Sequence, residues 1–321
     1  MQMLKYNETT VLSSDLARPL LEWPGTITWN VAMADHTTLR AGGRAMALVT
    51  VHGEDELGDL LRLLYEYQIP WQILGRGSNL LVSSDPYQGV FIRLQGRFAA
   101  IRRQEESVDN GSDPVIVAAG GGCSLARLVA WCTGHALGGL EFMVGIPGTV
   151  GGAVRMNAGA WGREVGECIS SLSLMDRQGN RFRVSASDLL PSYRKMAVLG
   201  HDLRGLIVTE ASFRLQRGRQ KEILSRCIEY LAGRRKKQPT GSASAGSFFR
   251  NPSGDSAGRL IEAAGLKGMR CGDAVISSKH ANFLINRGRA SADDIIRLMR
   301  LVQEKVYNRF GIHLEPEVHI L

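Results

Sequence analysis

The sequence has no uncharged apolar run near the ~18 residues that a membrane-spanning helix needs. Its longest candidate, Phe142 to Val154, is broken by Pro147 and by glycines. Met1 to Asp15 carries Lys5 but no apolar core of a secretion signal. A cytoplasmic protein with no membrane partner is therefore expected. Cysteine is scarce: Cys123, Cys132, Cys168, Cys227 and Cys271 are an odd, scattered set without a C-x-x-C pair. That argues against a disulfide framework or a structural zinc site, and reads most of them as small buried apolar residues. His280 has no histidine or carboxylate at metal-ligand spacing, so no metal site is expected. Aromatics are only 7% of the chain and do not interleave with its basic residues as a nucleic-acid stacking platform would. G-x-G-x-x-G in a strand-turn-helix setting is missing, as is G-x-x-x-x-G-K-[ST]. A Rossmann dinucleotide unit and a P-loop are both disfavoured.

What is present describes a globular chain. Its 321 residues, 44% hydrophobic and 22% charged, suffice for two or three domains. The net charge of +8 calls for anionic partners. With stacking platforms missing, phosphorylated small molecules are favoured over nucleic acid.

Glycine is the abundant residue, and its placement is informative. Clusters stand at 75–79, 120–122 and 145–152, each at a strand end or before a helix. The stretch Gly145 to Gly162 holds too many glycines to be expected as a regular helix or strand. Bare backbone N–H groups suit phosphate or the edge of a flat ring. One such cluster reads equally well as a packing corner, but three within eighty residues favour a ligand with a pyrophosphate and a flat ring system.

Periodicity places the clusters. Strands are expected at 46–51, 71–74, 80–83, 115–119 and 206–215, and a hairpin over 171–184 turns at Gln178-Gly-Asn180. Helices are expected over 54–67, 125–136, 221–237, 256–264 and from Ser291 to Phe310. Residues 1–22 read as a tail or an added helix. The Gly/Ser/Ala tract 240–247 reads as a flexible linker, although Phe248-Phe-Arg-Asn-Pro252 behind it is more specific than a linker needs. Ile312 to Ile320 reads as an edge strand, because it contains Pro316.

Four polar positions carry two readings each. Ser247, between small residues and two phenylalanines, either caps a turn or donates a proton in a water-poor pocket, which requires a strongly basic acceptor such as a carbanion. Arg194 is either a solvated charge or a functional cation. Glu317 is either half of a surface ion pair or a functional carboxyl. The cluster Arg234 to Lys237 is either a solvated helix end or a phosphate receiver.

These residues together resemble the UDP-N-acetylenolpyruvoylglucosamine reductases, or UDP-N-acetylmuramate dehydrogenases, of bacterial cell-wall synthesis. The matching stretches run from about Asn30 to the C-terminus: Thr38-Leu-Arg-Ala-Gly-Gly43, Leu74-Gly-Arg-Gly-Ser-Asn-Leu-Leu-Val82, Gly139-Leu-Glu-Phe142, Gly145-Ile-Pro-Gly-Thr-Val-Gly-Gly-Ala153, Met156-Asn-Ala-Gly159, Tyr193-Arg194, Ala245-Gly-Ser-Phe-Phe-Arg-Asn-Pro252, Ser278-Lys-His-Ala281 and Leu314-Glu-Pro-Glu-Val318. The resemblance implies an α+β protein with FAD and NADPH as cofactors and the enolpyruvyl ether of UDP-N-acetylglucosamine as substrate. It implies Ser247 as proton donor, with Arg194 and Glu317 stabilising or protonating an enolate. It implies FAD contacts from Gly75, Arg76, Gly77, Ser78, Asn79, Gly121, Gly145, Ile146, Pro147, Gly148, Thr149, Gly151, Gly152 and Ala158. Substrate or nicotinamide contacts are implied for Tyr193, Lys237, Asn251 and His280. Pro252 is followed almost at once by the 256–264 helix, which resembles the shorter class that lacks a tyrosine-bearing insertion. The implied layout is two FAD-binding subdomains of the vanillyl-alcohol-oxidase kind, 23–90 and 91–216, and a substrate domain, 217–311. The strand 312–321 returns to the first subdomain, and a monomer is expected. A flavin oxidase of the same architecture is the rival enzyme, and a basic nucleic-acid-binding or regulatory protein the rival from another class.

Overall fold

The computed structural model describes residues 15–104, 114–200 and 203–321. Most of the expected tail, residues 1–14, lies outside them. The rest is no tail: Ala17 and Leu20 are buried beside a 3-10 turn over Arg18–Leu20.

Six helices are described: α1 (Glu54–Glu66), α2 (Leu125–Gly134), α3 (Val150–Arg155), α4 (Gln220–Lys237), α5 (Ala257–Ala263) and α6 (Ala292–Phe310). Local chemistry explains their ends. Glu54, Asp55 and Glu56 open α1 at the positive end of its dipole, and Leu57, Leu60, Leu61 and Leu64 form its buried stripe. Ser124 caps α2 by accepting from the Arg127 N–H. Ser291 and Asp294 form a capping box on α6, and Gly311 stops it in the left-handed conformation at φ 68°.

Three sheets carry the chain. In the first, Thr26–Ala32 lies antiparallel to Arg44–Val51, which runs parallel to Tyr87–Leu94, itself parallel to Trp71–Ile73. Its central strands are buried on both faces: Val49 and Ile92 face α1, Leu48 and Phe91 the other side. The second sheet is antiparallel, in the order Arg181–Ser185, Ile169–Met175, Ile207–Arg217, Val115–Gly120, Ile101–Arg103. It packs against α2 and α3 through Leu128, Val150 and Val154. The third is also antiparallel, in the order Ala243–Ser244, Leu284–Asn286, Ala274–Ile276, Arg270–Cys271, and packs on α5 and α6. Its core also takes in Leu39, Ala41, Leu81, Leu314 and Val318 from the first unit and the chain end.

Three expectations are corrected. The 145–162 stretch does contain a regular element, α3, capped by Thr149. Burial of Val150, Ala153 and Val154 outweighs the ~0.5–1 kcal/mol that each helical glycine costs. The 240–247 tract is not a free linker, because Ala243 and Ser244 pair with Asn286 and Ile285. The chain end is not one long edge strand. Only His319–Ile320 forms a strand, parallel to Leu80–Leu81. Pro316, lacking an N–H, makes a single bridge to Phe249 instead.

Candidate active site

The glycine clusters meet in the structure. The Gly121 N–H donates to Thr209 O and Gly151 N–H to Gly121 O, 2.7 and 2.8 Å, while Thr149 bridges to Ser124. These approaches leave no room for side chains. A Cβ on Gly121 would lie 1.9 Å from Val208 O, and one on Gly77, at φ +59°, 2.1 Å from His36 O. Beside them opens a cavity of about 690 Å³. Gly75, Arg76, Gly121 and Thr149 line it, together with His36, Thr38, Arg40, Arg93 and residues 241–243. Asp35 is the one acid among these lining residues, so Arg40, Arg76 and Arg93 leave the cavity positive. Its size lies within the ~300–1,000 Å³ usual for cofactor sites. Glycine walls, hydroxyls and cations together fit a dinucleotide with a pyrophosphate. Burial, then Arg93, whose guanidinium lies 3.0 Å from the ring, holds His36 below the usual imidazole range.

Other residues expected at FAD do not line this cavity but continue from it. Ser78 lies against Gly148, and Gly145 turns at φ +74° beside Leu231 and Arg234 of α4. Asn79 is the link to the polar residues: its Nδ2 donates to Glu317 O at 3.1 Å, and its carbonyl accepts from the His319 N–H at 3.0 Å. Gly152 donates to the Thr149 cap, and Ala158 N–H to Ala153 O at 2.8 Å. Ile146 and Pro147 complete the turn between Gly145 and α3.

The three candidate polar residues come from distant parts of the chain. Arg194 sits at the tip of the hairpin Leu189–Ser192 and Lys195–Val198 with φ 57°, a left-handed conformation strained by roughly 1–3 kcal/mol for a non-glycine. Its Nε donates to Glu317 Oε1 at 3.0 Å, and both side chains are largely buried. The Glu317 N–H donates to Phe248 O at 2.8 Å, the residue next to Ser247. Asn282, buried, clamps that loop: its carbonyl and Oδ1 accept from the Phe248 and Phe249 N–H groups, and its Nδ2 donates to Phe249 O. Ser247 is thereby held between Gly246, at φ +78°, and a pinned backbone. Burial pushes the Glu317 carboxyl above its ordinary range, against the opposing pull of Arg194 and Arg250.

Residues 45–185 match the family model of an FAD binding domain, and residues 238–321 match UDP-N-acetylenolpyruvoylglucosamine reductase, C-terminal domain. The UDP-N-acetylenolpyruvoylglucosamine reductase 2 of Symbiobacterium thermophilum is 41% identical over 303 residues, 94% of each chain. The chain belongs to the UDP-N-acetylenolpyruvoylglucosamine reductase family. The reductase of Caldicellulosiruptor saccharolyticus is 39% identical over 90% of each chain. The crystal structure of the Thermus caldophilus reductase superposes with a TM-score of 0.77 at 36% identity, covering 92% of this chain and 99% of that one. The α+β FAD-binding fold is thus that of the reductase family.

Within this family fold, two of the four residues expected at substrate or nicotinamide, Tyr193 and Asn251, lie beside Arg194, whereas His280 and Lys237 contact other residues. The Tyr193 ring lies under the Arg194 guanidinium, 4.9 Å to its centroid, and its hydroxyl receives the Asn251 N–H at 3.5 Å. Asn251 Oδ1 is committed to the α5 start, accepting from Ala257 N–H. His280 packs near Gly258, and burial, then Lys267, lowers its pKa. Lys237 lies 5.5 Å over the ring of Trp161, which stacks on Tyr230. Sequence reasoning missed His36, Arg93 and the 241–243 segment, which reach the cavity only through folding. Its one available signal was the Thr38–Gly43 motif, whose Thr38 Oγ1 ties to Ser244 O at 2.7 Å.

Proposed function

We propose that this chain reduces the enolpyruvyl ether of UDP-N-acetylglucosamine to UDP-N-acetylmuramate, with FAD held in the glycine-lined cleft and NADPH as reductant. FAD, when bound, relays hydride from NADPH to the vinyl C3 of the substrate. Hydride addition at C3 leaves an electron pair at C2 that spreads into the adjacent carboxylate as an enolate. Arg194, fixed by its bond to Glu317, is placed to stabilise that growing charge more in the transition state than in the ground state. Ser247 is the group to protonate C2: a hydroxyl is a weak acid, and an enolate is basic enough to take its proton. Glu317, whose carboxyl burial pushes above its ordinary range, is the group to hydrogen-bond the enolate oxygens when it carries a proton. The observation that carries this reading is the bond from Arg194 to Glu317, whose backbone is tied in turn to the Ser247 loop. An oxidase of similar architecture has no use for that convergence.

By family, Gly75, Arg76, Gly77, Ser78, Asn79, Gly121 and the 145–152 turn hold FAD, with Ala158 close by. Tyr193, Lys237, Asn251 and His280 hold substrate or nicotinamide. The division into 23–90, 91–216 and 217–311, with 312–321 returning to the first unit, the cytoplasmic location and the monomeric state belong to the same proposal. The test is anaerobic. NADPH bleaches the flavin of the purified protein, and the enolpyruvyl ether restores its colour. A protein that lacks flavin, or whose reduced flavin is reoxidised by oxygen but not by this ether, overturns the proposal.

A further inference from the structure

Arg250 stands three residues beyond Ser247. Phe249 bridges Pro316 in antiparallel fashion, while the Arg250 N–H donates to Glu315 O and the Glu317 N–H to Phe248 O, both at 2.8 Å. Residues 248–250 and 315–317 thus form a short two-stranded ladder. Alternation along it sets Arg250 on the face that also carries Glu317. The Arg250 Nε is buried and finds no acceptor among the described residues. No carboxylate pairs with its guanidinium among them either, although Glu315 lies directly opposite along the ladder. Its charge nonetheless reaches Glu317 and His319, on both of which it acts.

The charge count at this spot is uneven. Arg194 is bonded to Glu317, so among the described residues Arg250 is left as an unmatched, partly desolvated cation three positions along the chain from Ser247 and on the ladder face of Glu317. Holding a guanidinium donor away from both water and acceptor is costly in the free protein. An incoming carboxylate removes that cost with a charge-assisted, bidentate pair. The substrate proposed above brings one such group, on C2, where Ser247 delivers its proton.

We propose that Arg250 binds the enolpyruvyl carboxylate of the substrate and orients C2 toward Ser247, leaving Arg194 for the charge that develops later. The assignment rests on the proposed reductase reaction. The test compares two ligands on the oxidised, FAD-loaded enzyme, with affinity read from the change in flavin absorption. One is the enolpyruvyl ether; the other is UDP-N-acetylglucosamine, which lacks the carboxylate. Arg250→Gln should weaken the ether roughly 10- to 100-fold, the range for a hydrogen bond to a charged group, and leave UDP-N-acetylglucosamine within about twofold. Arg250→Lys keeps the charge but loses the fork. It should weaken the ether by about threefold or more, again selectively, and it carries the test if the glutamine variant does not retain flavin. Equal losses for both ligands, meaning a structural role, or full affinity for the ether in both variants, would overturn the assignment. Failure of the unmutated enzyme to bind the ether at all would instead remove the functional reading beneath it.

Discussion

At Glu317 two physical effects compete. Burial favours the neutral acid, whereas Arg194 and Arg250 favour the carboxylate, and burial prevails. The folded-state pKa therefore lies above the ordinary value of 4.5. A carboxyl whose pKa rises on folding binds more protons in the native state, so stability falls as pH climbs through the window between the two values. Glu317→Gln should accordingly be at least as heat-stable as the parent at about pH 8, with the difference closing by about pH 4. Thermal melts across that range check it. The same sign governs catalysis. Substrate-driven reoxidation should slow as pH rises through the raised Glu317 value, and the glutamine variant should lose that limb. Ser247→Ala makes a separate prediction: flavin reduction by NADPH stays near its parent rate, and the second half-reaction slows roughly 10²–10⁴-fold. Stopped-flow measurement of both halves decides it, and equal damage to both would make the serine positional. These residue types were readable as candidates beforehand. Their partnership was not, because Arg194 and Glu317 stand 123 residues apart.

Among the elements, the helices were the most legible. The leucine stripe of α1, the Ser124 cap of α2 and the Ser291 start and Gly311 stop of α6 are local signals, and local signals survive without knowledge of the fold. Strands were less so. Thr26–Ala32 and Tyr87–Leu94 were not anticipated, the latter because a strand buried on both faces shows no alternation. The glycine turns were located correctly, but the helix within 145–162 was not, since its stability comes from what α3 packs against. Two glycines separate freedom from necessity. Gly121→Ala drives a methyl into a backbone carbonyl, which cannot move aside as a side chain can. It should cost roughly 3 kcal/mol or more and lower the flavin content of the purified protein. Gly134→Ala, on the exposed last turn of α2 with open space around its Cβ, should instead stabilise by up to about 1 kcal/mol. Chemical denaturation of both variants provides the comparison.

Across the whole molecule, stability and cofactor binding share the same seams. Asn286, buried in the third sheet, donates to Leu39 O and Arg40 O in the first unit and accepts from the Gly288 and Ala290 N–H groups. Asn286→Ala would strand those groups and should destabilise by about 2–4 kcal/mol, read as a lower melting temperature. Stripping FAD should lower that temperature too, and flavin added at about a hundredfold above its Kd should restore roughly 2.7 kcal/mol. A melting temperature indifferent to flavin would argue that the cleft between the glycine turns is not its site. The sequence by itself determined the helices other than α3, the glycine-turn chemistry, the positive charge and the set of polar residues worth suspecting, because each depends on neighbours a few positions away. Only the tertiary structure decided that the 240–247 tract is a paired wall of the cavity, that the chain end divides its bonds between Leu80–Leu81 and the Ser247 loop, and that Arg250 finds no carboxylate among the described residues. Those outcomes depend on which distant backbone supplies the missing hydrogen-bond partner, and no local pattern carries that information.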